Sequence, residues 1–186
     1  IPSIFVSFNH YTKIECDEKR FETINSQSFL NNKIDNSINI ATAQIDYNKE
    51  LGNNKTIEAG ARVSYINNGS ILNFFSSPNA LLYNKVDSLS NMFNYKEFIP
   101  AAYINFKGKI NNKTNYSIGL RTELTQYSLA VQTTKSFNTD RTYFNLFPNA
   151  SITYKVDNNL SYYVSISSRI TRVNYRNLNP NLVYQD

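Results

Sequence analysis

A strict alternation of apolar and polar side chains is what most constrains this chain. From Phe144 the apolar set reads Phe144, Leu146, Pro148, Ala150, Ile152 and Tyr154, against Asn145, Asn149, Ser151, Thr153 and Lys155. From Ile57 it reads Ile57, Ala59, Ala61, Val63 and Tyr65, interleaved with Glu58, Gly60, Arg62 and Ser64. The same pattern appears from Phe98 (Phe98, Pro100, Ala102, Ile104, Phe106), from Tyr116 (Tyr116, Ile118, Leu120) and from Leu160 (Leu160, Tyr162, Val164, Ile166). Ala41, Ala43, Ile45 and Tyr47 form a shorter series. A period of two is that of a β-strand, whose successive side chains point to opposite faces, whereas a helix repeats every 3.6 residues. Each such strand has one face that needs covering, by protein or by lipid, and one that is wet.

About seven strands follow, near residues 3–12, 37–48, 55–67, 94–108, 114–129, 142–156 and 160–173. The 29 Asn and 19 Ser, against 5 Gly and 5 Pro, agree with this reading. Asn and Ser weaken helix interiors and suit turns and solvated strand faces. The predicted class is all-β, an antiparallel up-and-down meander.

The connections alternate in length. Lys49–Asn54, Ile110–Lys113 and Asp157–Asn159 are short and polar, while Lys13–Asn36, Asn68–Phe93 and Ala130–Arg141 are long. An up-and-down sheet has this form when its two ends face different surroundings, as in an outer-membrane barrel with tight periplasmic turns and long external loops. Crossing a bilayer takes about 9–11 residues of tilted strand, a length most of these segments reach. Aromatics stand near segment ends: Tyr47, Tyr65, Phe106, Tyr116, Phe144, Tyr154 and Tyr162. Such rings suit the membrane–water interface. Pro100 and Pro148 fall inside strand-like runs and are expected at a margin, a bulge or the rim, because each lacks a ladder N–H.

Other classes are excluded or unsupported. Hydrophobic residues make up 41% and aromatics 14%, too much for disorder. No apolar run approaches the roughly 20 residues of a membrane helix. The charge of +5 is scattered along the chain, with no cluster or motif for nucleic acid. Cys16 is the lone cysteine and His10 the lone histidine, so neither a disulfide framework nor the usual zinc constellation is available. The five glycines are isolated, with no phosphate-binding loop. Catalytic residues, cofactors and metals are therefore expected to be none, and the chain is not expected to be an enzyme.

Several strings, taken in order, carry a family resemblance: Ala41-Thr42-Ala43-Gln44-Ile45-Asp46-Tyr47, Ile57–Tyr65, Tyr95-Lys96-Glu97-Phe98-Ile99-Pro100-Ala101-Ala102-Tyr103, Gly119-Leu120-Arg121-Thr122-Glu123, Tyr143-Phe144-Asn145-Leu146-Phe147-Pro148, Ser168-Arg169-Ile170-Thr171-Arg172 and Leu178-Asn179-Pro180. Over about residues 37–186 they resemble the barrel of the TonB-dependent receptor-like outer-membrane proteins of Gram-negative bacteria, closest to the subfamily called outer-membrane beta-barrel family proteins. Val173 departs from the proline common at that place in the family.

The resemblance implies a barrel segment of an outer-membrane receptor that imports a large nutrient of the siderophore, glycan or peptide class. Residues 1–186 would be a partial barrel domain without plug domain, TonB-contact segment or terminal strand. The implied partners are outer-membrane lipid, the protein's own plug domain and remaining barrel strands, and the TonB complex through the parent protein. No nucleic acid is implied.

If the apolar faces meet lipid, the opposite phase faces the lumen. It carries Asp46, Glu58, Arg62, Glu97, Arg121, Glu123 and Arg169. These residues either line a channel and contact plug or substrate, or pair across strands as ion pairs that stiffen the wall. Phe74, Phe75, Tyr83 and Phe93 fall in the longest connection and are the loop candidates for a ligand or partner. One alternative stays open at this point, a soluble β-sandwich binding or adhesion module whose apolar faces meet a second sheet.

Overall fold

A computed structural model describes residues 2–23, 28–79, 81–133 and 136–171. Its strands are β1 Ser3–Thr23, β2 Ser28–Gly52, β3 Lys55–Ser77, β4 Asn84–Lys85, β5 Asn91–Asn111, β6 Thr114–Gln132, β7 Phe137–Lys155 and β8 Ser161–Ser167. They form one antiparallel sheet in the order β1-β2-β3-β5-β6-β7-β8, with the two-residue β4 pairing to β3. Among the described residues there is no helix and no second sheet. The meander expected from the alternation is what forms, and among the described residues no opposing layer covers it as a sandwich would. Ile118 and Ile152, which a sandwich would bury, are 59% and 44% exposed.

The short turns lie where the sequence places them. Gly52 pairs with Lys55 around Asn53 and Asn54, whose φ values are 49° and 57°. Positive φ at both central residues makes a type I′ turn, which suits the twist of a hairpin and which Asn tolerates. At the β7–β8 turn Asp157 Oδ1 accepts from the N–H groups of Asn159 and Leu160 at 2.8 and 2.9 Å.

The long connections are mostly strand. Where a loop was expected over 13–36, β1 and β2 stay paired from Lys13 opposite Ile38 up to Thr23 opposite Ser28. β3 continues to Ser77 and β6 to Gln132, leaving connections over 78–90 and 133–136. Ladder hydrogen bonds come from the backbone, so once register is set lower down, polar strings such as Asn31-Asn32-Lys33 can extend the hairpin. Over 78–90, Ser90 bridges the break between β4 and β5. Its Oγ accepts from Phe74 N–H at 3.0 Å and donates to the Val86 carbonyl at 2.8 Å.

Pro100 sits well inside β5, away from any margin or rim. It keeps its place opposite Val63, while the β5–β6 ladder is interrupted at Ile99 and Pro100 and resumes at Ala101 in the same register. Pro148 also lies inside β7, opposite Leu120, just beyond the Asn149–Ser167 pair that ends the β7–β8 ladder. β8 stops at Ser167, earlier than expected, and the strings over 172–186 lie outside the described residues.

Burial alternates along the central strands. Phe93, Tyr95, Glu97 and Ile99 are buried, whereas Met92, Lys96 and Phe98 are exposed. In a sheet one layer thick this asymmetry is that of curvature, which crowds side chains on the concave face and splays them on the convex one.

The apolar phase then reverses part-way along each strand. In the part nearer the short turns the convex face is apolar, with Ala41–Tyr47 (alternate residues) on β2, Ile57–Tyr65 on β3, Phe98–Phe106 on β5, Tyr116–Leu124 on β6 and Phe144–Tyr154 on β7. Beyond that level the convex face becomes polar: Ser37 and Asn39, Asn67 and Gly69, Asn94 and Lys96, Gln126 and Ser128, Asp140 and Thr142. The concave face takes over the apolar residues. Phe93, Tyr95 and Val131 form a buried cluster with Tyr127 and Leu129 packed against it. The Tyr95 and Tyr127 rings lie 5.7 Å apart, and Tyr127 meets Tyr143 edge-on at 6.2 Å.

Candidate functional site

In-register pairing sets concave-face residues of successive strands into rows. One row runs Asp46, Gly60, Tyr103, Arg121, Phe147 from β2 to β7. The row above it runs Gln44, Arg62, Ala101, Glu123, Asn145, and the row below Asn48, Glu58, Asn105, Gly119, Asn149. Asp46, Glu58, Arg62, Arg121 and Glu123, all singled out from sequence, therefore share one belt at the level of the apolar convex face. Glu97 stands two rows higher, opposite Ile66 and Tyr127 and only 2% exposed. Arg169 follows the end of β8 and is exposed, lining a recess with Arg121 and Glu123.

The belt is held together in two ways. Arg121 donates through Nε and Nη2 to Glu123 Oε1, each at 2.7 Å, and Lys107 Nζ reaches Glu58 Oε1 at 2.7 Å. These are the ion pairs anticipated for the wall, one within a strand and one across strands. Asp46 is served by neutral donors instead: Gln44 Nε2 at 2.8 Å on Oδ2 and Tyr103 Oη at 2.6 Å on Oδ1. The tyrosine must cross β3 to reach it, and Gly60 is the residue beneath. A Cβ at Gly60 would lie 2.6 Å from Asp46 Oδ1 and 2.8 Å from Tyr103 Cζ. Gly119 serves its own row likewise, for a Cβ there would lie 2.7 Å from Asn149 Nδ2 and 2.9 Å from Asn105 Cγ. Both glycines let neighbouring side chains lie flat along the wall.

Arg62 donates from Nε to Ser64 Oγ at 3.3 Å and meets no carboxylate among the described residues. Beside it across β5, Arg121, Glu123, Phe147, Asn149, Ser167, Ser168, Arg169 and Ile170 enclose an open recess of about 380 Å³. Among the described residues no group of His, Cys, Asp and Glu could hold a metal ion.

The aromatic loop candidates are placed differently from the expectation. Phe74 and Phe75 belong to β3 and Phe93 to β5, and Phe74 and Phe93 are each 1% exposed. They are strand residues because the phase reversal puts Phe74 and Phe93 on the concave face, where they are buried rather than presented to solvent. Tyr83 alone lies in the connection, half-buried. Sequence reasoning did not single out Gln44, Tyr103 or Lys107. Tyr103 was legible in principle, as an aromatic residue standing in the polar phase of its strand.

The sequence matches the outer membrane protein beta-barrel family over residues 4–186. The chain belongs to that family. Its members' place is the bacterial outer membrane, which accounts for a sheet with an uncovered apolar face. No curated protein matches the sequence. Among solved structures, the ferric citrate transporter FecA in its unliganded form is similar with a TM-score of 0.61 at 12% identity, over 88% of this chain and 24% of FecA. The ferric yersiniabactin uptake receptor FyuA from Yersinia pestis is similar with a TM-score of 0.55 at 9% identity, over 87% of this chain and 25% of FyuA. At these identities the likeness is one of fold. This family member spans about a quarter of the length of either structure.

Proposed function

We propose that this segment is wall of a TonB-dependent receptor that takes up a large nutrient, of the siderophore, glycan or peptide class, across the outer membrane. The reading is carried by the convex face, which is apolar over a bounded band that nothing among the described residues covers. On β5 the band runs from Phe98 to Phe106 and on β7 from Phe144 to Tyr154, with aromatic residues at both limits. Eight to ten steps of about 3.3 Å and a tilt near 40° give roughly 20–25 Å along the membrane normal, the height of a barrel's apolar belt. Tyr47, Phe106, Tyr116, Tyr154 and Tyr162 would form the periplasmic girdle, and Tyr65, Phe98 and Phe144 the outer one.

The concave belt of Asp46, Glu58, Arg62, Arg121 and Glu123 then faces the lumen, where the plug domain and the passing nutrient would meet it. Similarity to FecA and FyuA supports the receptor class, since this segment fits a quarter of either barrel-containing chain. Tyr83, in the connection at the far end, would meet a ligand from outside.

The test is uptake in cells. The full-length protein should support accumulation of its nutrient only with an intact TonB complex and a membrane proton gradient. Accumulation that persists after TonB deletion or uncoupling would refute energised import and leave a passive pore.

A further inference from the structure

We infer that the ligand surface offered by this wall is an acceptor for anionic groups, so that the substrate passing it carries carboxylate or phosphate-like charge. This deepens the receptor reading and rests on it for the concave face being the ligand side.

Four concave-face acids are already occupied. Glu58 is taken by Lys107, Glu123 by Arg121, and Asp46 by Gln44 and Tyr103, while Glu97 is buried and engaged. Glu50, near the short turn, is the one described concave-face carboxylate that has no partner. Beyond the paired Lys107 and Arg121, five cations are in the opposite condition. Arg62, Lys109, Arg141, Lys155 and Arg169 are all exposed, and none meets a carboxylate among the described residues. Among the described residues, free donors therefore outnumber free acceptors along this wall.

Position strengthens the count. Arg141 lies in the row of Glu97 and Arg62 in the row of Glu123, while Lys109 and Lys155 lie nearer the short turns. They descend the wall as a series rather than as one patch. At mid-height the small Ala101 stands between Arg62 and Glu123 in their row. The recess next to it adds Arg169, Asn149, Ser167 and Ser168 around Phe147 and Ile170. A guanidinium fork matches the geometry of carboxylate and phosphate oxygens, and a concave low-dielectric wall focuses such charge.

The experiment uses the full-length protein in lipid nanodiscs, dialysed against three probes of comparable size: tripolyphosphate, spermidine and maltotriose. Tripolyphosphate should be retained about tenfold over the other two, and less so as salt rises. Arg62→Gln with Arg169→Gln should weaken its retention several-fold, Arg62→Lys should restore part of it, and Glu50→Gln should not weaken it. Equal retention of spermidine or maltotriose, or a double variant that holds tripolyphosphate like the parent, would overturn the inference. Gel mobility of the heated and unheated double variant checks that it is folded, and Arg62→Lys supplies the same readout if it is not. Uptake independent of TonB would remove the receptor reading while leaving this anion preference intact.

Discussion

Placing one arginine at two heights on the same strand face tests the membrane assignment directly. Ala102 lies midway between Phe98 and Phe106 on the convex face of β5, opposite Ala61 and Thr122, and is exposed. Asn94 has the same phase on the same strand but lies beyond Phe98, among the polar convex residues. From Ala102 to either aromatic limit is four residues, or about 13 Å along the strand and roughly 10 Å along the normal at a 40° tilt. An arginine at barrel midplane costs about 2–4 kcal/mol and near the interface about 0–1. Snorkelling recovers part of the cost across 10 Å, so Ala102→Arg should cost about 2–3 kcal/mol and Asn94→Arg close to nothing. Alanine contributes little packing here, so no cavity is made and the change reads the charge alone. Ala102→Met is the control for bulk and should be nearly neutral. The assay is guanidinium unfolding of the full-length protein refolded in vesicles, where about 2.8 kcal/mol appears as a hundredfold change in the folding constant. Equal costs at the two sites, or no cost at Ala102, would refute the apolar band as lipid contact.

Three further outcomes follow from side-chain geometry. Gly60→Ala should destabilise by about 1–3 kcal/mol through overpacking against Tyr103 and Asp46, and the cost should shrink in a Tyr103→Ala background, as read by a double-mutant cycle. Ser90→Ala removes the acceptor for Phe74 N–H, so hydrogen exchange at that amide should accelerate and stability should fall by about 1–3 kcal/mol. Arg121→Gln removes the guanidinium from the 5% exposed Glu123 and should cost about 1–3 kcal/mol in unfolding experiments. Adding Glu123→Gln to Arg121→Gln should recover much of that loss, and a double variant no better than the single one would refute the pairing.

The sequence carried much of the wall's lower part. Alternation from Ile57, Phe98, Tyr116 and Phe144 placed four strands and their exposed faces, and the Asn53-Asn54 turn fell inside a predicted short connection. Phase also put Asp46, Glu58, Arg62, Arg121 and Glu123 on a common face, because in-register pairing preserves parity from strand to strand. What it could not supply was their bonding. Whether Asp46 turns to Arg62 on the next strand or to Tyr103 two strands away depends on Gly60, whose missing side chain opens the path. Composition misled over 13–36 and 68–93, where Asn, Ser and Lys suggested loop although the backbone ladder continued.

The reason those segments were misread is itself informative. At Ile40-Ala41, Tyr65-Ile66, Phe98-Ile99 and Tyr143-Phe144 two large or apolar residues stand side by side, which breaks a period of two. A pattern reader ends the strand near such a doublet, yet β2, β3, β5 and β7 all pass through without a register shift at that point. The register does not change there, even at Phe98-Ile99, where the β5–β6 ladder skips Ile99 and Pro100. On the proposed receptor reading, the convex face below the doublet would meet hydrocarbon and need to be apolar, and above it the same face would meet water while the concave face builds its own cluster around Phe93 and Tyr95. Three of the doublets fall on one register line, since Ala41 pairs with Tyr65 and Tyr65 with Phe98. Independent strands have no reason to reverse phase at a shared level unless a planar boundary crosses them all. On that reading the doublet is the imprint of the membrane surface on the sequence, and a wall that stayed in one solvent from end to end would keep its alternation unbroken.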